Sequence, residues 1–87
     1  MNQNPKTRTL ADLQPGQSGV VIALHSTGLE RRRMMDLGIV PGTTLVAEIR
    51  SPLGDPVAYR VRGAMVALRQ EQARLVSITD ASSEENL

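Results

Sequence analysis

Short apolar runs rich in β-forming residues recur about every ten residues between positions 19 and 78, and glycine or proline marks most of the breaks between them. Each run is long enough for one strand, and most breaks are only long enough for a turn. That spacing predicts a small β-barrel, whose closure also removes the exposed sheet edges that a small β domain must manage. "GVVIAL" (residues 19–24) has no polar interruption and reads as a strand buried on both faces. After the Pro41-Gly42 turn, alternation places Leu45, Ala47 and Ile49 on one strand face and Val46, Glu48 and Arg50 on the other. "VAYRVRG" sets Val57, Tyr59 and Val61 against Arg60 and Arg62, and Gly63 turns the chain. "AMVALRQ" sets Val66 and Leu68 against Met65, Ala67 and Arg69. "EQARL" reads as a single helical turn and "LVSI" as the last strand.

One segment breaks the β rhythm. "LERRRMMDLG" (residues 29–38) carries Leu29, Arg33 and Leu37 at i, i+4 and i+8, with Met34 and Met35 beside that stripe. It reads as an amphipathic helix capped by Ser26 or Thr27 and stopped by Gly38 in the left-handed conformation. Asp36 is expected to hold the helix end or a loop amide. Further upstream, Thr9 and Asp12 stand in capping-box register ahead of Pro15-Gly16, so a short helical turn should bury Leu10 and Leu13. The polar ends, 1–7 and 80–87, read as disordered tails, which leaves 8–79 as one domain.

At 87 residues the core is modest: a domain this small buries about 60–65% of its unfolded surface. Ten Lys and Arg nearly cancel nine Asp and Glu, for a net charge of +1. Phosphate neutralisation usually demands a larger basic excess, so nucleic acid is disfavoured as a partner. Tyr59 is the only aromatic residue, too few for the stacking platforms of single-strand binders or the grooves of proline-rich peptide binders. Cysteine is absent, which excludes disulfides and thiolate metal sites. The N-terminal stretch has no apolar signal region and no run approaches the length of a membrane span, so a cytoplasmic location is expected.

Chemistry-bearing constellations are few. His25 is the lone histidine, short of the several His and carboxylate ligands that a transition-metal site needs, so no metal ligand set and no cofactor is expected. No nucleophile–base pairing and no phosphate-cradling glycine motif is present, so no catalytic residue is assigned and the chain reads as a binding module, not an enzyme. The feature left over is the triplet Arg31-Arg32-Arg33. Successive helical residues step about 100°, so the three cannot share a face. Arg33 is the expected boundary residue, with its stem buried and its head free, within reach of Glu30 or Asp36. Positive charge early in a helix opposes the helix dipole, so the triplet does not serve helix stability and a recognition role is favoured.

Three stretches together carry a family resemblance: "LADLQPGQSGVV", "RRRMMDLGIVPGTTL" and "SPLGDPVAYRVRGAMVALRQEQARLV". The spacing of Arg32, Asp36, Leu37, Gly38, Pro41 and Gly42 is one signature. The loop 52–56 followed by Arg62, Gly63, Leu68 and Arg69 is the other. Over residues 9–78 the chain resembles the FeoA family, the small cytoplasmic component of bacterial ferrous iron uptake. The resemblance implies a mainly β fold, a small SH3-like barrel of about five strands with one α-helix inserted after the first strand. It also implies work beside FeoB, the membrane ferrous iron transporter with a cytoplasmic GTPase domain, and contact with the membrane only through it. The same domain occurs at the C-terminus of metal-dependent repressors. No helix-turn-helix precedes it here, so the free-standing form is expected.

The expected partner surface combines Leu29, Arg31, Arg32 and Met35 of the helix with Leu53 and Asp55 of the loop 52–56. Gly38, Pro41, Gly42, Gly54 and Gly63 are expected to act structurally, as is Asp36. Two alternatives stay open. A nucleic-acid-binding barrel would need Arg31, Arg32, Arg60, Arg62 and Arg69 to converge. A weakly self-associating module would use sheet edges or the Met34/Met35 patch.

Overall fold

The computed structural model describes residues 7–80. Six strands form one antiparallel sheet: β1 (Thr7–Thr9), β2 (Ser18–Leu24), β3 (Thr44–Arg50), β4 (Val57–Val61), β5 (Ala64–Leu68) and β6 (Val76–Asp80), in the order β1-β6-β2-β3-β4-β5. Helix α1 (Gly28–Asp36) follows β2, and the single-turn α2 (Gln70–Ala73) follows β5. The count exceeds the expected five strands by β1, whose Arg8 lies opposite Ile78 of β6. The expected tails lie outside the described residues except at Thr7 and Asp80, which belong to strands.

The inward side of the sheet builds the core. Val21 lies opposite Ile78, Leu24 opposite Val76, Leu45 opposite Val61, and Tyr59 sits between Ala47 and Val66, all buried. A 3-10 turn, Leu10–Asp12, covers one end with buried Leu10 and Leu13. The Thr9 amide donates to the Asp12 carboxylate (2.9 Å), closing the capping box that the spacing predicts. The Tyr59 hydroxyl donates to the Leu10 carbonyl (3.2 Å) and ties that turn to the sheet.

Two expectations fail, one from an unbroken apolar run and one from alternation, both at β-bulges. Between β2 and β6 the register shifts at Val21/Ala23, so Ile22 is unpaired and exposed, and β2 is not buried on both faces. Between β3 and β4 the shift falls at Ala47/Ile49. Glu48 is the extra residue, and Ile49 turns outward, 60% exposed, in place of joining Leu45 and Ala47.

Candidate functional site

Helix α1 sits on the sheet through one side chain. Met34 is fully buried, and no other residue of the helix is. Polar links flank it on both sides. The Arg31 Nη1 donates to the Leu24 carbonyl (3.0 Å), and Gln72 Nε2 of α2 donates to the Glu30 carboxylate (2.9 Å). The C-terminus is locked by a paired set of backbone bonds, Ile39 N–H to Met34 O (3.0 Å) and Gly38 N–H to Met35 O (2.9 Å). This is the Schellman arrangement, with Gly38 at φ 95 and buried Ile39 packing back into the core.

The seating corrects the expected helix register. Leu29, Arg33 and Leu37 are all exposed and form no core stripe. Arg31, not Arg33, is the arginine drawn toward the sheet. Arg33 pairs with neither Glu30 nor Asp36; among the described residues the one ion pair is Arg60–Glu48 (2.8 Å). The Asp36 carboxylate is exposed and holds neither the helix end nor a loop amide among the described residues. Thr27 occupies the N-cap position but its hydroxyl makes no capping bond, and the buried Ser26 hydroxyl has no partner.

On a helix, residues spaced i, i+3 and i+7 share a side, so Leu29, Arg32 and Asp36 form the stripe opposite Met34. Leu29 is 84% exposed and Met35 43% exposed. Gly28, Arg31, Arg32, Met35 and Asp36 line an open recess of about 330 Å³. Gly28 is a wall of that recess that the sequence did not single out; its left-handed φ of 59 at the helix start bends the chain there. Of the expected contacts, Arg31, Arg32 and Met35 line that recess, and Leu29 is exposed on the same helix without lining it.

The loop 52–56 is a second, separate feature. Gly54 N–H bonds to Ser51 O (2.7 Å), and the Ser51 hydroxyl donates to Pro56 O (2.9 Å), so the loop is braced from inside. Leu53 stands at its tip, 94% exposed. Asp55 is half-buried and accepts the Gln70 amide (2.9 Å), capping the start of α2. Gly42, Gly54 and Gly63 all hold positive φ. Pro41-Gly42 forms the central pair of a turn closed by Thr43 N–H to Val40 O (3.0 Å).

His25 is exposed, with Nε2 2.8 Å from the Ser77 hydroxyl. The described residues contain no group of three or more His, Asp or Glu arranged to hold a metal ion. None of their helices is long and apolar enough to cross a membrane. The five arginines that a nucleic-acid surface would need do not act as a set: Arg31 is bound to Leu24 O and Arg60 to Glu48.

A family model, the FeoA domain, matches residues 8–80. The chain is 34% identical over 74 residues to an Fe(2+) transport protein A/Fe(2+) transporter FeoB fusion protein from Porphyromonas gingivalis, covering 85% of this chain and 9% of that protein. Among solved structures, a FeoA-like protein from Clostridium acetobutylicum is 33% identical with a TM-score of 0.78, covering 86% of this chain and 87% of that one. FeoA of Stenotrophomonas maltophilia, complexed with zinc and described as a prokaryotic SH3 domain protein, is 32% identical with a TM-score of 0.72, covering 86% and 92%. The fold is thus mainly β and SH3-like, as the resemblance implies.

Proposed function

The chain belongs to the FeoA domain family, and on that premise we propose that it is an accessory module of ferrous iron uptake that docks on the cytoplasmic GTPase domain of a FeoB-type transporter and modulates it. The observation that carries this reading is the way α1 is mounted. One buried methionine and two polar links secure the helix, Arg32 and Met35 line an open recess, and Leu29 stays exposed on the same helix. An exposed leucine and methionine beside unpaired positive charge fit a partner patch that is apolar at its centre and acidic at its edge. Leu53, at the tip of a braced loop, supplies a second contact that needs little ordering on binding.

The fusion relative supports the choice of partner. A covalent link holds two modules at high effective concentration, which favours pairs that act together. In this reading the module works in the cytoplasm, performs no catalysis, and reaches the membrane only through the transporter.

The test is a titration of isotope-labelled chain with the purified GTPase domain, loaded with GDP or with a GTP analogue. Amide shifts are expected on residues 28–36 and 52–54. Arg32→Glu is the clean charge reversal, because Arg32 makes no hydrogen bond among the described residues, whereas Arg31→Glu also breaks the link to Leu24. Arg32→Glu and Leu29→Ala should each weaken binding roughly ten-fold, equivalent to about 1.4 kcal/mol, with the fold intact. Unchanged affinity in both variants at low and moderate salt refutes the helix surface. No shifts with either nucleotide refute the GTPase domain as partner.

A further inference from the structure

The sheet has two ends, and they are protected unequally. β1 is three residues long and carries Arg8, which limits what can pair with it. β5 reads "AMVAL", five residues with no charge, no proline and no bulge. It is the last strand in the sheet order, and no backbone bond reaches its outer side among the described residues.

The geometry of the hairpin identifies which groups are free. Arg62 and Gly63 both hold positive φ (53 and 88), as a two-residue type I′ turn requires. Val61 and Ala64 then form the hydrogen-bonded pair that closes the hairpin, and Tyr59–Val66 and Val57–Leu68 repeat that pairing. The backbone N–H and C=O of Met65 and Ala67 therefore point away from β4, toward the open edge. Their side chains are on the outer face, Met65 45% exposed. They continue an apolar row, because Ala67 lies opposite Ala58 and Ala58 opposite the outward-turned Ile49.

We propose that β5 is a self-association edge, pairing antiparallel with β5 of a second copy about a two-fold axis at Val66. Met65 then exchanges both backbone bonds with the partner's Ala67, and Ala67 does so with the partner's Met65. The pairing leaves no free N–H or C=O on either residue, and it joins the two sheets edge to edge.

The charges allow this register. Arg69 falls opposite the partner's Gly63, and Arg62 opposite the partner's Gln70, so no like charges meet directly across the seam. Arg60, beside Met65 on the outer face, is neutralised by Glu48 of its own chain. Self-complementarity about one residue is what an isologous interface requires, and a five-residue strand centred on Val66 provides it. Few contacts are involved, so the dimer is a weak one. The inference stands apart from the transporter reading and uses a different surface from α1.

The experiment is sedimentation equilibrium of the full chain at concentrations up to about 1 mM, a range that reveals weak complexes. The mass should rise with concentration from one chain, 9.4 kDa, toward two. Two double variants at these outward positions test the register, each with its fold checked by an amide spectrum. In M65K/A67K both cross-strand pairs become Lys against Lys, and association should be lost. In M65K/A67E each pair becomes Lys against Glu, and association should return and weaken with added salt. A wild-type chain that stays monomeric overturns the proposal and leaves the edge to a strand of another protein. Association that survives in M65K/A67K, or that fails to return in M65K/A67E, overturns the register and with it the proposed interface.

Discussion

Replacing Met34 by alanine tests the claim that one side chain seats α1. Three heavy atoms beyond Cβ leave a site that is 1% exposed and packed in the core cluster. At about 0.8 kcal/mol for each buried methylene-sized group, transfer alone comes to roughly 2.4 kcal/mol. The unfilled space adds a cavity contribution, and methionine-to-alanine changes in cores fall at about 2–5 kcal/mol. Helix α1 has nine residues and can settle partway into the gap, so the expected loss is about 3 kcal/mol. That is a large part of the roughly 5–15 kcal/mol by which domains are stable. Urea unfolding measures it, with an unchanged m value confirming that only stability has moved. Met35→Ala is the control: its side chain is 43% exposed, and its cost should stay under about 1 kcal/mol. A Met34→Ala loss below about 1 kcal/mol, or one equal to the Met35→Ala loss, refutes the reasoning. The helix would then be held mainly by the Arg31–Leu24 and Glu30–Gln72 bonds, each a contribution of about 1 kcal/mol.

Three further outcomes are expected. Gly38→Ala forces an L residue into φ 95 and sets a new Cβ 3.4 Å from Arg62 Cδ and Val61 Cγ1, so it should cost about 1–2 kcal/mol or more in thermal or urea unfolding; a neutral result refutes the Schellman stop. Asp55→Ala removes the acceptor of the Gln70 amide and should cost about 0.5–2 kcal/mol, with faster exchange of that amide; unchanged exchange would deny the cap. Tyr59→Phe should cost about 1 kcal/mol or less, because the Leu10 carbonyl still accepts the Leu13 amide. Burial raises the Tyr59 pKa above 10.0, the nearby Arg50 opposing and Asp55 adding to the shift. The unfolded chain therefore loses its phenolic proton first, so this contribution to stability is complete below about pH 10 and is lost as pH rises through the folded value. Stability measured from pH 8 to 11.5 (roughly the span around the usual tyrosine value) should fall less at the alkaline end in Tyr59→Phe than in wild type.

What can be read from this sequence is whatever depends on neighbours close in the chain. A Thr9–Asp12 capping box, the helix stop at Gly38 and the hairpin turn at Gly63 each need only a few consecutive residues. Alternation in β4 and β5 holds for the same reason, since the two strands are joined by a two-residue turn that fixes their register. The two-faced burial expected of β2 fails at Ile22 and alternation in β3 fails at Ile49, where the bulge is set by a partner strand distant in sequence. β1 was hidden because three residues without apolar alternation declare themselves only when β6 is beside them.

The helix shows the same division at the candidate site. In a nine-residue helix with one buried side chain, the i, i+4, i+8 stripe of Leu29, Arg33 and Leu37 competes with Met34, and periodicity alone cannot decide between them. Tertiary contacts decide. Ile39 and Met34 enter the core together through the Schellman bonds, and that turns Leu29 outward and brings the Arg31 guanidinium to the Leu24 carbonyl. A hydrophobic residue displaced in this way from core to surface costs the isolated fold its burial, and the fold keeps Leu29 exposed because Met34 already fills the seat. The same holds for Ile49, put outside by a bulge and continuing the Ala58–Ala67 row toward the free edge of β5. Both departures from the sequence pattern thus leave apolar side chains uncovered: Leu29 on α1, the surface proposed for the transporter, and Ile49 on β3, in the row that leads to the β5 edge proposed for a second copy. If both proposals hold, the two surfaces are separable: Arg32→Glu should impair docking with self-association unchanged, and M65K/A67K should do the reverse. Loss of both functions in either variant would mean that the two faces form one interface.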